Sequence, residues 1–172
     1  FGVPDPEFSA TQLSADQAAA ARRLTGAIDN RTFAPVLLDG VTGSGKTEVY
    51  LEAVAHLLWQ EPDAQVLILL PEIALTQALM RRIEARFGGA PAEWHSSVPP
   101  PVRRQVWDGV RSGEARLVVG ARSALFLPFR SLRMIVVDEE HDGSFKQEQG
   151  IVYHARDLAV ARASQSQALV VL

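Results

Sequence analysis

Leu37-Leu38-Asp39-Gly40-Val41-Thr42-Gly43-Ser44-Gly45-Lys46-Thr47 is an apolar run that empties into a glycine-rich loop and closes on Gly45-Lys46-Thr47. Glycines at 40, 43 and 45 let the backbone turn its N–H groups inward around a polyphosphate, and the helix that follows adds the positive end of its dipole. In such a loop Lys46 meets the β- and γ-phosphates and Thr47 ligates Mg²⁺. The plain alternative is an ordinary glycine turn, but with glycine near its usual ~7% the complete pattern arises by chance in roughly one chain in a thousand. A second stretch, Met134-Ile135-Val136-Val137-Asp138-Glu139, is an apolar strand that delivers two carboxylates. Asp138 can hold Mg²⁺ while Glu139 orients and deprotonates an attacking water, which is the chemistry of nucleotide hydrolysis. A kinase needs only the first carboxylate and a separate phosphate acceptor. Alone, this pair reads more readily as a solvated acidic loop; together with the P-loop, the preference reverses.

A third candidate is Gln17, near the start of a helix whose stripe runs through Ala21, Leu24 and Ile28. Ser14 and Gln17 have the spacing of a capping box. An amide about thirty residues before a P-loop lysine can also donate to and accept from an adenine edge. The sequence leaves both readings open.

The elements that position these groups follow from periodicity. A strand (Pro35 to Asp39) leads into the P-loop, and a helix with Tyr50, Val54, Leu57 and Leu58 on one side leaves it. Gln65 to Leu70 is a short, nearly continuous apolar run of the kind a doubly covered parallel strand requires. Pro71-Glu72 ends it, and Leu75, Leu79, Ile83 and Phe87 mark a helix that stops at Gly88-Gly89. Arg81, Arg82 and Arg86 fall off that stripe and read as a solvated face. A brief strand (Ala92 to His95), a helix carrying Val102, Val106 and Val110, and strands at Ala115 to Val119 and Leu132 to Val137 follow. A helix from about His154 to Ser164 leads to a last strand at Ala168 to Leu172. Alternating strands and helices predict an α/β fold, an open and mostly parallel sheet with helices on both faces. The polar clusters at Gly40 to Thr47, Pro71-Glu72, Gly120 to Ser123 and Asp138 to His141 all fall just past strand ends, where ligands gather in such sheets.

With 172 residues, 47% hydrophobic and 22% charged, the chain has globular composition and enough length for one good core. Residues 1–12, with Pro4 and Pro6, read as a linker, and residues 13–172 as the domain. The net charge of −3 argues against a dedicated basic nucleic-acid binder, although a motor that must release its track can carry it. The absence of cysteine excludes disulfides and a cysteine zinc site in this segment. No apolar run spans a bilayer and no leader is visible, so the expectation is a piece of a cytoplasmic protein. Phe145 and Tyr153 sit in polar surroundings just after the acidic cluster; either both rings pack onto the sheet edge, or they stack on unpaired bases.

Asp138-Glu139-Glu140-His141 after this P-loop resembles motif II of superfamily 2 helicases in its DEAH-like form. Further motifs sharpen the resemblance: Leu70-Pro71-Glu72-Ile73-Ala74-Leu75-Thr76, His95-Ser96, Gly120-Ala121-Arg122-Ser123-Ala124-Leu125-Phe126, and the tail from Phe145-Lys146-Gln147 to Tyr153-His154-Ala155-Arg156-Asp157. With the P-loop and its continuation Glu48-Val49-Tyr50, they are similar to the bacterial primosomal, replication-restart helicases over essentially the whole chain from Leu13.

That resemblance implies the first RecA-like lobe of an ATP-driven 3′-to-5′ DNA helicase that reloads replication at stalled forks, with ATP and Mg as cofactors. Gln17 and residues Gly43, Ser44, Gly45, Lys46, Thr47 and Glu48 then surround the nucleotide, with Thr47 and Asp138 on the metal, and Asp138, Glu139 and Lys46 carry catalysis. His141 links the nucleotide to motion. Pro71, Glu72, Ile73, Arg122 and Ser123 face the DNA backbone, joined by Phe145 and Lys146. Ala121 stands where the family more often has threonine. The Ser-Ala-Thr motif, the second lobe with its arginine finger and zinc-binding cysteines, and an N-terminal DNA-binding domain are expected outside this segment. Single-stranded DNA-binding protein and primosome proteins are the implied partners of the whole protein, and the segment alone is expected to be a monomer. The other readings are a double-stranded DNA translocase or restriction motor of the same superfamily, and a module that only docks DNA or restart partners.

Overall fold

A computed structural model describes residues 1–41, 43–148 and 153–172, and for Ile73 the backbone alone. Six parallel strands form the main sheet in the order β1-β8-β5-β2-β4-β3, where β1 is Ala34–Val36, β2 Gln65–Leu69, β3 Ala92–Trp94, β4 Leu117–Gly120, β5 Leu132–Val137 and β8 Leu169–Val171. A two-residue antiparallel pair, β6 (Lys146–Gln147) with β7 (Tyr153–His154), stands apart where the sequence suggested only loop. The last strand of the chain is thus inserted between the strand that precedes the P-loop and the strand that carries the acidic pair.

The helices start where local chemistry satisfies their free N–H groups. Ser14 accepts from the Gln17 backbone and Gln17 reaches back to Ser14, opening α1 (Ala15–Asp29) with a complete capping box. Gly45, at φ +80°, turns the chain into α2 (Lys46–Gln60). Thr76 caps α3 (Gln77–Phe87), which Gly88 closes at φ +68°. Prolines occupy the first turn of α4 (Pro100–Ser112), where the N–H they lack is not needed. His154 caps α5 (Ala155–Ser166), its Nδ1 accepting from the Arg156 N–H.

Side chains alternate across the strands, so the inner strands β2, β4, β5 and β8 each feed two cores. Val66, Ile68, Val119, Met134, Val136 and Val171 join α1, α2 and α3 on one face. Leu67, Leu69, Val118, Ile135, Val137 and Val170 join α4 and α5 on the other. At the opposite end of the sheet from the polar clusters, buried Gln65 uses its whole amide: Nε2 donates to the carbonyls of Val110 and Ala115, and Oε1 accepts from the N–H groups of Arg130 and Ser131. A fully bonded polar group costs little to bury.

Two expectations need correction. The segment read as a linker docks on the domain through Gly2 N–H to Ala90 O and Asp5 N–H to Phe87 O, with the Phe8 ring seated against Gly88. Of the α3 arginines, Arg81 and Arg82 are exposed as read, Arg82 pairing with Glu48, but Arg86 is buried, donating from Nε to Glu52 at 2.8 Å and from Nη1 to the Pro6 carbonyl. The apolar stripe of α3 does not reveal these partners, because they arrive from α2 and from the N-terminal segment.

Candidate nucleotide site and neighbouring groove

Among the described residues, the P-loop and the acidic turn meet over the end of β8 and enclose a cavity of about 230 Å³. Leu37, Asp39, Gly40 and Lys46 line one side and Asp138, Glu139, Glu140 and His141 the other. Thr42 lies outside the described residues. The loop keeps room for a phosphate by excluding side chains. A Cβ at Gly40 would stand 2.8 Å from Ser44 Oγ, and one at Gly45 would stand 2.2 Å from Gln17 Nε2. Gly43 and Gly45 hold φ of +83° and +80°, which L-residues rarely adopt. Lys46 folds over this cradle and donates from Nζ to Gly40 O at 2.9 Å.

The acidic side is equally ordered. Asp138 N–H continues the β5 ladder by donating to Leu69 O, and Asp138 Oδ1 accepts from Glu139 N–H at 2.9 Å. Glu139 sits at φ +55°, a left-handed conformation that costs a non-glycine residue on the order of 1 kcal/mol and occurs preferentially at functional turns. His141 Nε2 lies 3.5 Å from Glu139 Oε2, both side chains open to solvent. Glu140 turns back to Arg156 at 3.3 Å, anchoring the turn to α5. These residues suit a magnesium nucleotide: a glycine cradle for phosphate, a lysine over it, and a hydroxyl and a carboxylate for the metal.

Gln17 serves the cap and the loop at once. Its Oε1 accepts from Ser14 N–H at 2.9 Å and its Nε2 donates to Ser44 O at 2.9 Å, so both ends of the amide are committed within the protein. Glu48 pairs with Arg82 while its other carboxylate oxygen stays beside the loop, 3.2 Å from where a Cβ on Gly45 would stand. Tyr50 went unnoticed as a polar residue. It reads as one more position on an apolar helical stripe, yet its hydroxyl donates to Asp138 Oδ2 at 3.0 Å. Burial first, and then the Asp138 charge, push its phenol well above the ordinary tyrosine range. The available signal was chemical: a buried tyrosine hydroxyl usually finds a partner.

The remaining singled-out residues gather in a second depression, about 620 Å³, at the same edge of the sheet. Pro71, Glu72, Arg122, Ser123 and Phe145 line it, together with Ser96, Arg103 and Tyr153, which sequence reasoning had not brought there. The Ile73 side chain lies outside the described residues. Arg122 Nη1 donates to the carbonyls of Ser144 and Lys146, both at 2.9 Å, and so ties the segment after the acidic turn to the end of β4. Glu72 Oε1 accepts from Ser96 N–H at 3.4 Å. Ala121 is buried and donates its N–H to Trp94 O, so this position offers no side chain to a phosphate. Lys146 is exposed and pairs with Glu148.

Of the two readings left open for Phe145, packing is the one its burial supports. It is 1% exposed, packed in the same core as Leu125, Val137 and Ala155. A ring with no free face cannot stack on a base. Tyr153, half-buried, instead meets Phe126 edge-on at 5.5 Å, and Phe126 is exposed.

The family model for DEAD/DEAH box helicases matches residues 14–172. Among curated relatives, the replication restart protein PriA of Rickettsia felis is 47% identical over 143 residues, 83% of this chain and 22% of the relative. The replication restart protein PriA of Bacillus subtilis is 42% identical over 171 residues, 98% of this chain and 21% of the relative. The chain therefore spans about a fifth of the length of these relatives. A crystal structure of the helicase MrfA bound to DNA and AMPPNP shares the fold, with a TM-score of 0.65 at 20% identity over 92% of this chain and 23% of that one.

Proposed function

The chain belongs to the DEAD/DEAH box helicases, and from that membership we propose that it is the ATP-binding lobe of a DNA helicase that restarts replication at stalled forks. One observation carries the reading: a P-loop lysine and an Asp-Glu pair, 92 residues apart in sequence at Lys46 and Asp138, face each other across one cavity. The similarity to replication restart proteins supports the biological setting.

Each group then has a task. Lys46 and the loop N–H groups hold the β- and γ-phosphates, and Thr47 and Asp138 hold the magnesium. Bound magnesium neutralises charge on the phosphate oxygens. Glu139, on its left-handed turn, orients the attacking water and accepts its proton. His141, beside Glu139, relays movement of the turn. The groove lined by Pro71, Glu72, Arg122 and Ser123 carries the DNA backbone, which short polar groups and backbone N–H donors hold without reading bases. The whole protein acts on forks and single-stranded DNA, with single-stranded DNA-binding protein and primosome proteins as partners and zinc held in a second lobe. An arginine finger from that lobe, worth roughly 10³ to 10⁵ in rate, completes the site. This chain alone is a monomer that binds magnesium nucleotide weakly and turns it over negligibly.

Calorimetric titration with magnesium ADP and a phosphate-release assay on the chain, beside fork unwinding by the whole protein with and without ATP, test this. Lys46→Ala should abolish detectable binding. Nucleotide affinity unchanged in Lys46→Ala, or DNA-stimulated turnover by the chain alone at a rate near one per second, would sink the two-lobe reading.

A further inference from the structure

Tyr50 lies on the first turns of α2, one helical turn beyond Thr47, and its side chain is 1% exposed. Its hydroxyl touches two groups. It donates to Asp138 Oδ2 at 3.0 Å, and the Thr47 hydroxyl lies against the same phenol oxygen, where it alone favours the ionised form. These two partners, from the P-loop helix and from the turn after β5, are the residues to which the proposed reaction gives the metal. The other Asp138 oxygen is held by Glu139 N–H at 2.9 Å. The carboxylate is therefore fixed at both ends before any nucleotide arrives, while its remaining lone pairs stay available to a metal or its waters.

Packing does not require this arrangement. The Tyr50 ring fills the space between α2 and the sheet as a phenylalanine would, and burying a hydroxyl there carries a desolvation cost that only its partners offset. Held by Glu139 N–H alone, the carboxylate would keep more freedom about its last torsion and lose it each time it met the metal. We infer that Tyr50 is a positioning residue for the metal-holding pair: its phenol bridges Thr47 and Asp138 and presets them for the magnesium that accompanies a nucleotide. The inference rests on the proposed nucleotide site and concerns only how its metal side is held.

The test is calorimetric titration of the chain with ADP, once with magnesium and once with EDTA, on wild type, Tyr50→Phe, Asp138→Asn and the double variant. Tyr50→Phe should bind ADP in EDTA as wild type does, and should lose about tenfold of the affinity that magnesium adds, the size expected for one hydrogen bond to a charged group. In the Asp138→Asn background the same change should cost nothing further, because the phenol acts through that carboxylate. Undiminished magnesium enhancement in Tyr50→Phe, or an equal loss in both backgrounds, would overturn the inference. A wild-type chain that binds no ADP under either condition removes the nucleotide site itself, a distinct failure that takes this inference with it.

A second measurement does not depend on Tyr50→Phe folding. The chain has two tyrosines, so Tyr153→Phe with ring-fluorinated tyrosine leaves a single fluorine reporter at position 50. Its NMR resonance should shift with magnesium ADP and stay in place with ADP in EDTA. A resonance that moves identically in both, or in neither while ADP binds, refutes the bridge.

Discussion

The nucleotide cavity and the neighbouring groove occupy one edge of one sheet, yet they are held in different ways. In the cavity each functional side chain is bonded to another part of the site: Lys46 to Gly40, Gln17 to Ser44, Tyr50 to Asp138. The groove's own lining ties it to the chain after the acidic turn and to the core: Arg122 reaches across to the carbonyls of residues 144 and 146, and Phe145 is a core ring. Helices α2 and α3 join the two regions, since Glu48 and Glu52 on one pair with Arg82 and Arg86 on the other, four residues apart on each.

This contrast can be broken at its strongest point first. In the whole protein, Glu139→Gln should leave nucleotide affinity intact and lower hydrolysis by about 10² to 10⁴, because the amide cannot accept the water proton while Asp138 keeps the metal. Wild-type turnover would remove Glu139 as the base. On the groove side, Phe145→Ala should destabilise the chain by about 3–5 kcal/mol, read from denaturant unfolding, since a ring this deep leaves a cavity. Unchanged stability with lost DNA stimulation would restore the stacking role that its burial denies.

A smaller effect sharpens the cavity side. Gln17→Ala removes one half of a capping box and one strut of the P-loop, and should cost about 1–2 kcal/mol of stability. ADP and GDP affinities should fall by the same factor. A fall confined to ADP would show the amide leaving its strut for the adenine edge. The smallest effect lies in the turn between the regions, where the Ser144 hydroxyl and backbone N–H both donate to Asp142 and hold its carboxyl below the ordinary carboxylate range. A depressed folded value means that this support is present above the ordinary carboxylate value of 3.8 and is lost as pH falls through the lower one. The protection of the Ser144 and Phe145 amides, relative to their intrinsic exchange rates, should therefore fall only below about pH 4, and Asp142→Asn should flatten that dependence.

Much of this was legible in advance because the signals were local. The P-loop announces itself through glycines whose backbone geometry only glycine tolerates. The acidic pair follows an apolar strand, the capping box has its own spacing, and the α/β alternation is periodic. The groove was legible in part, as clusters that each ended a strand and so had to share an edge.

What the sequence by itself determined, then, is which backbone segments turn, which faces are apolar and which strand ends bear polar groups, because each depends on neighbours within a few residues. Only the tertiary structure decided the partners of single polar side chains. Tyr50 faces Asp138 across 88 residues, Arg86 meets Glu52 and Pro6, Glu48 pairs with Arg82, and Phe145 goes inward. A lone hydroxyl, guanidinium or ring follows no period, and its environment is set by which strand the sheet places beside it. Here that was the insertion of β8 between β1 and β5, which sets the width of the cavity the P-loop and the acidic turn share.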